Sequence, residues 1–114
     1  MLPPRAGGII NYPIKDTHDL YASYMPFVLG GGLFVPSNRS FPLGEEVFVV
    51  VTLPESSERI PVSGKVVWSH HRSHGIRPAG FGIQLAGDEG MRLRNQIEKL
   101  LAGHVSSDKP THTL

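Results

Sequence analysis

Three consecutive glycines interrupt an apolar run, and this feature constrains the fold more than any other in the chain. The run extends from Met25 to Pro36, with the glycines at positions 30–32. Glycine allows a positive φ and close approach of another segment, whereas a flexible linker would be more polar. The pattern predicts a turn packed against the protein body, followed by a short strand over residues 33–35.

Two longer strands are predicted in the middle of the chain, where they form a hairpin. Residues 46–53 are largely apolar on both faces, which is typical of a barrel strand that a helix or another chain covers on its outside. Residues 60–68 form the second strand, with Gly64 as the expected position of a bend or bulge. A last strand is predicted over residues 81–85, after a polar loop over 69–78. The residues expected to share one face of the second strand are Ile60, Val62, Val66 and Trp68.

Two helices and an edge strand complete the predicted domain. Residues 9–14 contain Pro13, so they are predicted to form an edge strand. Asp16 is a good N-cap for a brief helix that ends near Tyr24. A C-terminal helix is predicted from one apolar stripe and ends at Gly103. The stripe consists of Leu93, Ile97, Leu100 and Leu101.

Composition indicates one small domain and disfavours several classes of function. The chain has 114 residues and no cysteine, which excludes disulfides and thiol chemistry and is consistent with a reducing cytoplasm. Its 11 basic and 10 acidic residues are scattered, so no basic stripe is available for nucleic acid. No run of about 20 apolar residues predicts membrane insertion, and no hydrophobic signal segment opens the sequence. We expect a cytoplasmic protein.

No catalytic or metal-binding arrangement is predicted. The chain lacks a Gly-x-Ser-x-Gly elbow, and Leu-Phe follows the triple glycine where a phosphate loop would have Lys and Ser. His70, His71 and His74 crowd one segment, but no cysteine lies near them and no helix is predicted to fix their geometry. A solvated loop is therefore preferred over a zinc or copper site. We expect neither a cofactor nor an enzymatic activity.

Three segments, in this order and spacing, resemble the PilZ domain. Gly-Gly-Leu-Phe-Val at 31–35 is similar to the first barrel strand of that family, Gly-Lys-Val-Val-Trp at 64–68 to a middle strand, and Gly-Phe-Gly-Ile-Gln-Leu at 80–85 to a closing strand. The resemblance implies a mainly β fold. We expect a small six- or seven-stranded antiparallel β-barrel with a short N-terminal helix and a C-terminal helix.

The chain is expected to divide into one domain and two terminal segments. The PilZ-like domain is predicted over residues 9–103, after a flexible N-terminus at 1–8. Residues 104–114 are predicted to form a disordered tail, because their Ser, Asp, Lys, Pro and Thr content cannot bury enough apolar surface.

The sequence departs from the members of the family that bind cyclic di-GMP. Those receptors carry Arg-x-x-x-Arg near the N-terminus and Asp/Asn-x-Ser-x-x-Gly before the first strand. With the second motif placed on Gly32, Phe27 replaces the acid or amide and Leu29 replaces the serine. Ile9 stands where a second arginine would follow Arg5. Losing three or four charge-assisted hydrogen bonds removes on the order of 5 kcal/mol, or roughly three decades of affinity.

These departures imply the non-receptor subgroup of the family, the PilZ proteins of type IV pilus assembly. The resemblance then implies an adaptor in pilus biogenesis and twitching motility. Its implied partners are the pilus assembly ATPase and a cyclic di-GMP-sensing scaffold with degenerate GGDEF and EAL domains. Two alternatives remain open: a direct cyclic di-GMP receptor that uses other basic residues such as Arg72 and Arg77, and a small barrel that binds nucleic acid.

Four aromatic residues are the candidate partner-binding site. Tyr21, Tyr24 and Phe27 lie close together in sequence, and Trp68 ends a strand beside the histidine-rich segment. Ordinary core packing is the alternative for each of them. Tyr and Trp are nevertheless enriched at binding hot spots, and a barrel of this size cannot bury every aromatic residue at its rim. At least one is expected to face a partner.

Overall fold

A computed structural model of the chain describes residues 9–39, 41–70 and 78–102. These ranges form a single sheet in the order β1-β4-β5-β6-β3-β2, together with two helices. The elements are β1 Ile9–Pro13, α1 Thr17–Ser23, β2 Tyr24–Met25, β3 Gly32–Pro36, β4 Glu46–Thr52, β5 Arg59–His70, β6 Gly80–Leu85 and α2 Gly87–Leu101. The mainly β fold with one short N-terminal and one C-terminal helix is confirmed, and it is consistent with a small β-barrel. The predicted N-terminus at 1–8, the C-terminal stop at Gly103 and the tail at 104–114 lie outside the described residues.

The strands pair antiparallel except at one edge of the sheet. β4 and β5 form the predicted hairpin, in which Val49 lies opposite Val62. β1 also pairs with β4, but in the parallel direction, so the prediction of an entirely antiparallel sheet is wrong here. A parallel pair requires a crossover, and α1, β2 and β3 provide it. β1 is an edge strand as predicted, where Pro13 is tolerated although it has no N–H group.

The first helix and the glycine turn form where the sequence predicts them. The Asp16 carboxylate accepts a hydrogen bond from the backbone N–H of Asp19 at 2.8 Å and caps α1. Gly30 and Gly31 have φ angles of +80° and +90°, which other residues rarely adopt. The N–H group of Leu85 donates to the Gly31 carbonyl at 2.9 Å. The turn is therefore packed against β6, and it leads directly into β3.

The main hydrophobic core lies between one face of the sheet and α2. Alternate residues of β4 point into it, and Leu93, Ile97 and Leu101 of α2 are buried there. Leu100 is 40% exposed, so its inclusion in the predicted stripe is wrong. A stripe with a four-residue repeat leaves position 100 on the flank of the helix.

A β-bulge reverses the predicted direction of Trp68. Val66 pairs with Ile83 but Trp68 pairs with Gly82, so β5 contains one extra residue between these two pairs. Since neighbouring residues of β6 lie on opposite faces, Trp68 lies on the face opposite Val66 and the main core. The prediction that Val66 and Trp68 share a face is therefore wrong, and the bulge is not at Gly64 as predicted.

Candidate functional site

The face of the sheet opposite the main core carries a second apolar cluster. Leu33 and Val35 of β3 point into the main core, so Phe34 between them points to the other face. Phe34 and Met25 are fully buried there, although neither belongs to the main core. We call this group of side chains the outer aromatic cluster. Its members are Met25, Phe27, Phe34, Trp68 and His70.

Trp68 lies at the centre of the ring contacts in this cluster. Its ring centroid is 5.8 Å from that of Phe27 and 5.5 Å from that of His70, both in edge-to-face arrangements. The His70 ring is also 5.7 Å from the ring of Phe34. Such aromatic pairs contribute about 0.5–1.5 kcal/mol beyond the burial of their area. The contacts hold a half-buried Trp68 in one orientation at the protein surface.

Two polar contacts define the tautomer of His70. The Nε1–H group of Trp68 donates to Nε2 of His70 at 2.9 Å, and Nδ1 of His70 is 3.4 Å from the carbonyl oxygen of Pro78. An indole nitrogen only donates, so Nε2 must be the unprotonated acceptor and Nδ1 carries the proton.

His70 belongs to β5 and to a packed cluster, so its predicted place in a solvated loop is wrong. His71 and His74 lie outside the described residues. Within residues 9–39, 41–70 and 78–102, no group of three His, Asp or Glu side chains is arranged to hold a metal ion. His70 instead accepts a hydrogen bond from Trp68.

Gly82 allows the cluster to pack directly on β6. A Cβ atom at this position would lie 2.6 Å from Sδ of Met25 and 3.0 Å from Cβ of Trp68. The distance to Met25 is too short for a real contact, so a larger residue at position 82 would displace the Met25 side chain and crowd Trp68. The lack of a side chain at Gly82 therefore allows Met25 and Trp68 to lie directly against β6.

Phe27 and Leu29 project from the turn that precedes β3. Phe27 is 47% exposed and Leu29 is 86% exposed. Nε2 of Gln84 donates to the Leu29 carbonyl at 2.8 Å, and the N–H group of Gly31 donates to the Val28 carbonyl at 2.7 Å. The turn thus presents apolar side chains on a backbone that is already ordered, which lowers the entropic cost of binding.

The structure separates the two tyrosines of the predicted site from the other two residues. Tyr24 is 7% exposed, and its hydroxyl donates to Oε2 of Glu98 on α2 at 2.5 Å. Burial raises the pKa of Tyr24, and the hydrogen bond to Glu98 raises it further. Tyr21 is partly buried against the main core. Of the four predicted residues, Phe27 and Trp68 are in edge-to-face contact with each other.

Sequence reasoning did not include Met25, Phe34 or His70 in the candidate site. One signal for Phe34 was available, because Leu33, Phe34 and Val35 are all apolar and a strand with two apolar faces must be covered on both. No comparable signal identified His70. Its position depends on how far β5 extends beyond the bulge.

The PilZ domain matches residues 9–103 of the chain. No curated protein matches it. PilZ domains are typically non-catalytic binding or adaptor domains associated with cyclic di-GMP signalling. In the described part of the chain, neither helix is long and apolar enough to cross a membrane. Since the match extends over well more than half of the sequence, the chain belongs to the PilZ domain family.

Proposed function

We propose that this PilZ domain is a non-enzymatic cytoplasmic adaptor in type IV pilus biogenesis and twitching motility. It acts through protein–protein contacts and does not bind cyclic di-GMP itself. The proposed partners are the pilus assembly ATPase and a cyclic di-GMP-sensing scaffold with degenerate GGDEF and EAL domains. The observation that carries the proposal is the pair of exposed apolar side chains, Phe27 and Leu29, at positions where receptors have polar motif residues.

The chemistry of the outer aromatic cluster supports a protein partner over a nucleotide. A cyclic dinucleotide carries two phosphates and guanine edges, which arginine recognises through paired hydrogen bonds. None of the five cluster residues has a guanidinium group, and four of them are apolar. Trp is among the residues most enriched at protein-binding hot spots, and Trp68 here contacts an exposed Phe27 on an ordered turn.

Phe27 and Trp68 form the centre of the proposed partner-binding face. Tyr21 is proposed as a contact at its margin, because part of its side chain remains accessible. Tyr24 is proposed to support the face indirectly, since its hydrogen bond to Glu98 connects the start of β2 to α2.

The test has two arms, one for the nucleotide and one for a protein partner. In a calorimetric titration, cyclic di-GMP should produce no binding at micromolar concentration. In a titration against the pilus assembly ATPase, Phe27→Ala and Trp68→Ala should each weaken binding by about thirtyfold, as expected for hot-spot residues. Met91→Ala is the matched control, because Met91 is 56% exposed on α2 and lies outside the proposed face.

The alternatives predict different results in the same titrations. A direct receptor would give a micromolar dissociation constant for cyclic di-GMP, and its candidate residues Arg72 and Arg77 lie outside the described ranges. A nucleic-acid-binding barrel would bind DNA or RNA with an affinity that falls steeply as salt increases. If Phe27→Ala and Trp68→Ala bind the ATPase normally while remaining folded, the proposed face is wrong.

A further inference from the structure

The outer side of β4 presents a second apolar surface. Phe48 is 44% exposed, and Ile9, opposite it on β1, is 62% exposed. Val50 is half-buried beside them, and Pro61 of β5 is exposed next to Val50. The sequence predicted that a helix or another chain covers this side of β4. The exposure of Phe48 shows that, among the described residues, no helix does so.

These side chains line a groove of about 400 Å³ that runs across the sheet. Ile9, Phe48 and Ser63 occupy one row across β1, β4 and β5, and the row leads towards the start of α2. At that end the groove is lined by Asp88 and Glu89. We call this feature, defined by Ile9, Phe48, Pro61, Asp88 and Glu89, the β4 groove.

The negative charges at the acidic end of the β4 groove are only weakly neutralised by basic side chains within the described ranges. Oε1 of Glu89 is 3.9 Å from Nη1 of Arg92, whose Nη2 atom donates to Glu58 at 2.8 Å. No described residue forms an ion pair with Asp88. Carboxylates are favourable in the first turn of any helix, so their presence alone does not indicate a ligand. Asp88 and Glu89, however, lie at the end of an exposed apolar surface. A ligand in which an apolar group lies next to a positive charge would be complementary to both.

The β4 groove is distinct from the outer aromatic cluster. Both use β5, but Ser63 and Trp68 are five residues apart along this strand, a separation of roughly 16 Å. The two surfaces share no residue. A partner bound to Phe27 and Trp68 therefore leaves the β4 groove available to a second one.

We propose that the β4 groove binds an extended segment of a partner protein in which an apolar side chain lies next to a lysine or arginine. The apolar side chain packs on Phe48 and Ile9, and the basic group pairs with Asp88 and Glu89. This inference rests on the adaptor function proposed above, because an adaptor that connects two proteins needs two separate faces.

A random dodecapeptide library displayed on phage, selected on the full chain, tests this inference. Enriched peptides should contain a lysine or arginine within two positions of an aromatic or large aliphatic residue. Synthetic versions should bind Phe48→Arg about thirtyfold more weakly and Asp88→Lys about fivefold more weakly. Trp68→Ala should bind them normally. Phe48 and Asp88 are exposed, so both variants should remain folded, as circular dichroism can verify.

Several results would overturn the inference. These are a library that yields no enriched peptide, enriched peptides without basic residues, or peptides that bind Phe48→Arg as well as the unmodified chain. A dimer in sedimentation that Phe48→Arg dissociates would mean that a second copy occupies the groove. No pilus protein enters this selection, so its failure is separable from failure of the proposed function, which is tested with the ATPase at Phe27 and Trp68.

Discussion

The indole Nε1–H group of Trp68 donates a hydrogen bond to Nε2 of His70, two residues further along β5, at 2.9 Å. The same two rings are in edge-to-face contact at 5.5 Å. His70 therefore orients the residue that we place at the centre of the partner-binding face. This dependence leads to the first of four predictions.

Removal of the His70 ring should weaken partner binding without any change in Trp68 itself. His70→Ala leaves the indole N–H without its acceptor and removes the ring contacts with Trp68 and Phe34, so the free energy of unfolding should fall by about 1–2 kcal/mol. Binding to the ATPase should weaken by about tenfold.

Trp68→Phe is the matched variant, because it keeps an aromatic ring but removes the donor. In a double-mutant cycle on the free energy of unfolding, His70→Ala and Trp68→Phe should show a coupling energy of about 1 kcal/mol. Strictly additive effects would mean that the hydrogen bond contributes nothing.

Restoring the receptor residues in the turn should not restore cyclic di-GMP binding. The double variant Phe27→Asp and Leu29→Ser reintroduces the acid and the hydroxyl, but the arginine pair is still incomplete, because Ile9 stands where a second arginine would follow Arg5. Since arginines supply the charge-assisted contacts to phosphate, calorimetry should detect no micromolar binding. A tight complex with the double variant would show that the arginine pair is dispensable.

A methyl group at position 82 should disturb the outer aromatic cluster. Gly82→Ala would place Cβ 2.6 Å from Sδ of Met25, and the overpacking should cost about 1–3 kcal/mol in urea unfolding. Met25→Ala creates space at the same contact. The double variant should therefore be less destabilised than the sum of the two single variants. If the costs are additive, Met25 does not restrict position 82.

Stability should decrease in alkaline solution because of a partly buried tyrosine, Tyr12. Burial raises the pKa of Tyr12 to about 12, from an ordinary value of 10.0. Below pH 10 the hydroxyl is protonated in both states. Above it the unfolded chain loses the proton first, so the free energy of unfolding should fall by about 2 kcal/mol as pH rises from 10 to 12.

Urea unfolding at a series of pH values measures this effect. Tyr12→Phe should reduce the slope with which the free energy of unfolding falls as pH rises above 10. Tyr12→Phe combined with Tyr24→Phe should reduce this slope further, because burial also raises the pKa of Tyr24. Equal slopes for the unmodified chain and Tyr12→Phe would contradict the assignment of the alkaline loss of stability to Tyr12. Tyr12 also contacts the Ser23 hydroxyl, so comparison at pH 8 separates the loss of that hydrogen bond from the titration.

Local signals in the sequence were sufficient for several elements of the fold. The Asp16 cap, the turn at Gly30 and Gly31, and the hairpin of β4 and β5 all follow from interactions among residues close together along the chain. Their side chains and backbone angles favour one local conformation whatever the rest of the chain does. The same holds for Phe27 and Leu29, whose apolar character at the turn is visible without coordinates.

Other features were decided only by the tertiary structure. The parallel pairing of β1 with β4 depends on contacts between residues nearly forty positions apart. The bulge in β5 is equally non-local, because one extra residue opposite β6 moves Trp68 to the other face and brings it to Phe27 and His70. Side-chain direction in a strand reverses with each residue, so a single-residue shift in register changes which side chains meet. The sequence alone thus determined which residues are aromatic and near the turn, and only the folded sheet determined that Phe27, Trp68 and His70 form one surface without Tyr24.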